Sequence, residues 1–353
     1  MTTHREPHDA PLPPSARVVA VPPERGGRLA ALARARSLTS VLSRNAAVVG
    51  LVLVVVVGII TVPTFGSLDN ARNVALAASF IAIIAAGMTF VIISGGIDLS
   101  VGSTYALAVI LSAMLSEHGS VAAIVGALAA ATLVGLLQGV IIAWLRLPPF
   151  IVTLAGLTGI RGLVFLITDE GNEVPKVPGF KVFETLGTGS LLGIGNPVWI
   201  ALVIFAVAWW VLNRTPFGQG IQAIGGNSAA AELMGLPVRR STTTVYAISG
   251  ACAGLAGILT TALSGGGQEA RIGDSYELSA IAAVVIGGTL LSGGVGSVVG
   301  SLAGVSLLFV IQNLIVQGAN LNSYVQQVVS GAFLLVVVIL QAAVTRRAAS
   351  PGR

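Results

Sequence analysis

The residues best suited to chemistry lie in Ser94-Gly-Gly-Ile-Asp-Leu-Ser-Val-Gly-Ser103, where Asp98 is the sole charge between Arg72 and Glu117. An ionisable side chain in such apolar surroundings marks a functional site by default, and the glycines and serines around it break a helix and expose backbone groups. Two roles suit Asp98: a polar gate facing a solute, or an N-cap for a helix beginning near Leu99. Ser94, Gly95, Gly96 and Ser100 belong to the same break. Arg161, the other charge deep in an apolar run, is a candidate partner for Asp98 or for a backbone carbonyl, or else faces a wet cavity. Phe150 and Thr153, next to Pro148-Pro149, either start a helix or line a path. Gln138, Gln312, Asn313, Asn320, Asn322, Gln326 and Gln327 offer amides for hydroxylated cargo, although bonding between helices is their commoner use.

Other chemistries are excluded. A phosphate-cradling loop needs GxxxxGK[ST], and the only lysines are Lys176 and Lys181, in no such motif. The chain therefore cannot hydrolyse ATP itself. Cys252, His4, His8 and His118 form no cluster with metal-ligand or nucleophile spacing, and a single cysteine excludes an intrachain disulfide. No catalytic residue, bound cofactor or metal is expected.

The elements that must position these residues follow from composition. Of 353 residues, 54% are hydrophobic and 9% charged, with mean hydropathy +0.91, against roughly 25% charged residues in soluble domains. The fold class is all-α: a polytopic membrane protein of about ten transmembrane helices, some broken or re-entrant. Apolar runs place spans at 46–63, 73–94, 101–115, 121–145, 150–168, 197–212, 243–264, 278–291, 298–315 and 324–344. The third and eighth are short for a crossing that needs about 20 residues. Both adjoin a Ser-Gly-Gly element.

Residues 1–44, rich in proline and arginine, read as a retained, disordered cytoplasmic tail whose arginines can lie on anionic lipid. That tail and the helix flanks account for the formal charge of +5, so nucleic acid is not an expected partner. With both termini cytoplasmic, Arg34, Arg36, Arg44, Arg146, Arg214, Arg239, Arg240, Arg346 and Arg347 fall inside, and Arg72, Lys176, Lys181 and Arg271 outside. The expected layout is a permease domain over 45–345 and a C-terminal tail over 346–353. Within it, 213–241 is a cytoplasmic loop and 169–196 an outer loop.

ISGGIDLSVGS from Ile93 and LSGGVGSVVGS from Leu291 form a faint repeat, pairing Ser94-Gly95-Gly96 with Ser292-Gly293-Gly294. Gly-interrupted segments in two halves of a membrane chain point to a transport path. In the cytoplasmic loop, Asn227 or Ser228 can cap a short helix over 229–234, Gly235 can end it and Pro237 forbids its continuation.

GGIDLSVGS after the second span, LPPFIVTLAGLTGIRG opening the fifth, and TPFGQGIQAIGGNSAAAELMG in the loop together resemble the permease subunits of ABC sugar importers of the ribose, xylose and arabinose type. The likeness runs over about 46–344. It implies a multi-pass protein of the bacterial plasma membrane, paired with a second copy of itself or with a similar permease and docked on an ABC ATPase subunit that binds ATP and Mg. An extracytoplasmic sugar-binding protein would deliver a pentose-like sugar. The resemblance also implies that the helix from Ala229 to Gly235 couples to the ATPase, with Gly225, Gly226, Asn227, Ala230, Glu232 and Gly235 as its elements. Alternatives are the same role with another cargo, such as another sugar, inositol, a nucleoside or a sugar-like signal, and an ion-coupled secondary carrier in which Asp98 titrates.

Overall fold

The computed structural model describes residues 46–171, 181–266 and 271–319, with isolated positions 175, 177, 269, 328, 331, 332 and 335. Both tails and nearly all of the expected span 324–344 lie outside the described residues. So do Asn320, Asn322, Gln326 and Gln327.

Twelve α-helices are described: α1 (Ala46–Thr61), α2 (Leu68–Ile93), α3 (Val101–Leu115), α4 (Ser120–Leu145), α5 (Pro149–Ile167), α6 (Lys181–Thr188), α7 (Asn196–Arg214), α8 (Pro216–Gly226), α9 (Ser228–Leu233), α10 (Val238–Ser264), α11 (Tyr276–Ile286) and α12 (Val298–Ala319). A small antiparallel hairpin, Ser190–Leu191 with Ile194–Gly195, sits between α6 and α7. Leu192 and Gly193 have positive φ at its two-residue turn, which matches the right-handed twist of the strands.

Local signals start and stop these helices where the chain chemistry allows. Ser67 Oγ accepts the Asn70 N–H at 3.2 Å to begin α2, proline occupies the first turn of α5, α7 and α8, and Gly265, at φ 71°, closes α10. Six helices, α2, α4, α5, α7, α10 and α12, are long and apolar enough to cross a membrane. The short third and eighth runs persist as α3, of 15 residues, and α11, of 11. At 1.5 Å per residue they reach about 22 and 16 Å, short of a hydrocarbon layer of about 30 Å.

The core is built around α2, in which every residue from Ile81 to Ile93 is buried. Helix α10 packs against α2, α3 and α4. Small residues set the closeness of α10 to α4: a Cβ on Gly135 would overlap the Tyr246 carbonyl, and one on Gly139 would lie 2.9 Å from Thr243 Cα. Large apolar side chains instead face outward, among them Leu53, Leu137, Leu166, Val203 and Trp210. That inverted distribution suits a lipid surround.

The helix ends revise the expected repeat. At the end of α2 the N–H groups of Ser94, Gly95 and Gly96 donate to Phe90, Ile92 and Val91, and at the end of α11 those of Gly287, Gly288 and Thr289 donate to Ala283, Val285 and Val284 in the same pattern. Gly95 and Gly288 carry the matching φ of 85° and 89°. The structural counterpart of Ser94-Gly95-Gly96 is thus Gly287-Gly288-Thr289 and not Ser292-Gly293-Gly294. The second connection, 287–297, is longer than 94–100 and holds an additional turn closed by Leu290 N–H to Val295 O at 3.0 Å.

Candidate functional site

Asp98 is buried in the connection between α2 and α3, where both carboxylate oxygens are engaged. Oδ1 accepts the Ser100 N–H at 2.9 Å and the Ser100 hydroxyl at 2.7 Å, and Oδ2 accepts the Ser249 hydroxyl of α10 at 2.7 Å. The helix begins at Val101 with Ser100 as its N-cap residue. Asp98 therefore satisfies the Ser100 N–H in the turn ahead of α3, which begins two residues beyond the start expected near Leu99, and pins that turn to α10. Ser100 Oγ also lies 3.0 Å from the Gln138 amide of α4. Thr153 Oγ1 is 3.1 Å from the Ile97 carbonyl, tying α5 to the same turn, and the Tyr246 hydroxyl lies 3.4 Å from that carbonyl.

Arg161 is elsewhere. Its guanidinium donates to the Ile272 carbonyl at 2.8 Å and pairs with Asp274 at 2.8 Å, so the Asp98 pairing is not formed. These contacts hold the connection between α10 and α11. Phe150 is exposed on the outer side of α5, whereas Thr153 faces the break. Asn313 exchanges amide bonds with Asn70 at 3.0 and 3.1 Å, which makes it interhelical glue.

Glycines join the break to the loop helices. The Gly294 N–H donates to the Ile93 carbonyl at 2.9 Å. A Cβ on Gly293 would stand 2.9 Å from both Gly95 Cα and the Gly225 carbonyl oxygen, and one on Gly294 2.9 Å from Gly226 Cα. A Cβ on Gly225 would overlap the Ile93 carbonyl oxygen and reach 2.6 Å from the Gly294 nitrogen. Gly95 at the end of α2, Gly225 and Gly226 at the end of α8, and Gly293 and Gly294 of the 290–295 turn thus meet backbone to backbone. At Gly225, Gly293 and Gly294 only a residue without a Cβ permits this approach.

Helix α8 was not expected as a helix, although Thr215 before Pro216 is an N-terminal signal; its Oγ1 accepts the Gly218 N–H at 3.2 Å. Asn227 ends α8 and caps α9, accepting the Ala230 N–H at 3.0 Å. The chain leaves α9 through Gly235 at φ 81°, where Leu236 N–H bonds the Ala231 carbonyl. Ala231 faces inward while Ala230 and Glu232 are exposed. Glu232 and Arg146 approach only to 3.8 Å across solvent. A cavity of about 350 Å³ is lined by Ser94, Gly95, Gly96 and Glu232 of the expected gate and coupling residues, together with Arg146 and Tyr246, while Asp98, Ser100, Thr153 and Arg161 are not on its wall. Leu233 and Met234, absent from the expected site, are 90% and 83% exposed at the tip of α9.

A family model described as a branched-chain amino acid transport system / permease component matches residues 70–338. The ribose import permease protein RbsC of Haemophilus influenzae is 41% identical over 295 residues, covering 82% of this chain and 90% of that protein. The chain belongs to the sugar ABC-importer permease family. RbsC of Bacillus subtilis is 39% identical, covering 82% of the permease and 89% of the relative. The L-arabinose ABC transporter permease protein AraH of Azospirillum brasilense is 38% identical, covering 79% and 82%. No solved structure matches the permease. It is a multi-pass membrane subunit without catalytic function, and membership implies an ATPase and a binding protein as partners.

Proposed function

We propose that the permease moves a small neutral sugar of pentose type across the bacterial inner membrane, working as a homodimer on two ATPase subunits that bind ATP and Mg. The observation that carries the cargo reading is the likeness to relatives named for ribose import and L-arabinose transport, at 41% and 38% identity over most of the chain.

In this reading α9 is the coupling helix. Leu233 and Met234 project from it as an apolar tip that a cleft on the ATPase would cover. The glycine junction then passes its movement to the helix breaks at 94–100 and 287–297, the tight backbone contacts leaving little slack. Orientation follows from charge: Arg239 lies over Trp144 at 5.2 Å and Arg214 over Trp209 at 5.9 Å, at the α9 end of the molecule. Arginine and tryptophan together suit a cytoplasmic membrane interface, with lipid headgroups beside them. Ten crossings with both termini inside complete the topology, and the outer loop 169–196 receives the binding protein.

The test is uptake of D-ribose into liposomes holding the permease and its ATPase, supplied by loaded binding protein. Uptake should require ATP on the α9 side and survive collapse of ion gradients. Uptake that continues without ATP and stops with the gradient would transfer the protein to the ion-coupled carriers.

A further inference from the structure

At the end of α2 opposite the glycine junction, a second cavity of about 550 Å³ opens between α2, α3, α10, α11 and α12. Its wall mixes two kinds of surface. Phe80, Tyr276 and Phe309 supply aromatic carbon, and Asn73, Ser279 and Gln312 supply amides and a hydroxyl. The floor is fixed by Tyr105, which is buried, hydrogen-bonded to Thr260 Oγ1 at 2.9 Å and set 5.0 Å from the Tyr276 ring. The rim contains Asp274, held by Arg161 at 2.8 Å, and Ser275, a non-glycine residue at φ 65°. A residue in that backbone region persists only where its surroundings over-determine it, and such sites cluster at ligand clamps.

The chemistry of this wall selects its ligand. An anion would meet the Asp274 carboxylate, and a cation would compete with Arg161 for it. A neutral ring with several hydroxyls instead presents C–H faces to the aromatic carbon and hydroxyls to the amides, and the volume lies within the range of small-molecule sites. We propose that this cavity is a receiving chamber for a neutral polyhydroxylated ring of monosaccharide size.

Its place in the molecule gives it a role. Ile81 borders this chamber and Ser94 borders the cavity beside α9, which are separated along α2 by about 20 Å of helix. All α2 residues between them are buried. In this reading the buried stretch of α2 separates two chambers, one holding the solute before the partition and one after it. The chamber rests on the sugar-import reading above. Binding there is weak, because a conduit must release what it receives.

The experiment uses the reconstituted importer with D-ribose-loaded binding protein, comparing Ser279→Leu and Asn73→Leu with the unaltered chain. Both variants replace a polar wall group with carbon, and Asn73 stands at an exposed position that tolerates the change. D-Ribose taken up per ATP hydrolysed should fall about tenfold, with binding-protein-stimulated hydrolysis retained. In the unaltered importer, a diazirine-bearing ribose should label the peptides containing Tyr276 or Phe309, and excess D-ribose should suppress the labelling. An unchanged uptake ratio in both variants, or absence of that labelling, overturns the chamber while leaving the importer reading intact. Failure of the unaltered importer to take up D-ribose overturns the cargo reading and this inference with it.

Discussion

Replacing Gly225 by alanine tests whether the glycine junction couples α8 and α9 to the helix breaks. The added Cβ would overlap the Ile93 carbonyl oxygen and lie 2.6 Å from the Gly294 nitrogen, the two atoms of an existing hydrogen bond. Ordinary contact begins near 3.4 Å, so the Gly294 backbone must retreat by about 0.8 Å and the Ile93 carbonyl by more, and close-packed interiors transmit such shifts instead of absorbing them. Overpacking costs about 1–3 kcal/mol, and loss of the Gly294–Ile93 bond adds about 1–3 kcal/mol. Even a total of about 2 kcal/mol depopulates the joined arrangement roughly 30-fold. Gly226→Ala is the control, since a Cβ there meets nothing within 4 Å. In proteoliposomes with the ATPase, Gly225→Ala should lose uptake by roughly that factor while hydrolysis continues, and Gly226→Ala should transport normally. Equal transport by the two variants would refute mechanical coupling through this junction.

Ser249→Ala removes the bond between α10 and Asp98 Oδ2 and should cost about 1–3 kcal/mol, read as a lower unfolding temperature in detergent. A double-mutant cycle of Arg161 with Asp274 should show a coupling of about 0.5–1 kcal/mol, discounted because Asp274 is 55% exposed. The same cycle for Arg161 with Asp98 should be additive in a stability measurement. Asn227→Ala should destabilise α9 by about 1 kcal/mol and weaken co-purification with the ATPase, whereas Asn227→Asp preserves the cap and the association. For Arg146 and Glu232, 3.8 Å apart in solvent, a cycle should give less than about 0.5 kcal/mol. An effect of Glu232→Ala on ATPase binding would then belong to the partner's surface.

Much of the framework was legible locally. Apolar runs marked the helices, and the Ser-Gly-Gly of 94–96 marked the end of α2 because Gly95 alone accepts the left-handed turn that closes it. The α9 cap was equally readable, since an asparagine side chain satisfies an N–H only three residues ahead. Helix α8 went unread because its glycines weaken helix propensity, and tertiary packing makes up for them. The repeat was misaligned for a related reason: identical Ser-Gly-Gly triplets outweighed the helix ends that the hydrogen bonds define.

By itself the sequence determined the class of the protein, the place of its helix breaks, the short capped helix of the 213–241 loop and the absence of an ATP-binding motif. Such properties depend on composition and on contacts within about one helical turn. Only the tertiary structure decided that Asp98 bonds Ser249 and Arg161 bonds Asp274, that glycines of three separate segments converge, and that aromatic and polar groups from five helices line one cavity. Partners so distant along the chain are chosen by which helix faces pack together, and in an apolar sequence many faces look alike until small residues permit the closest approach.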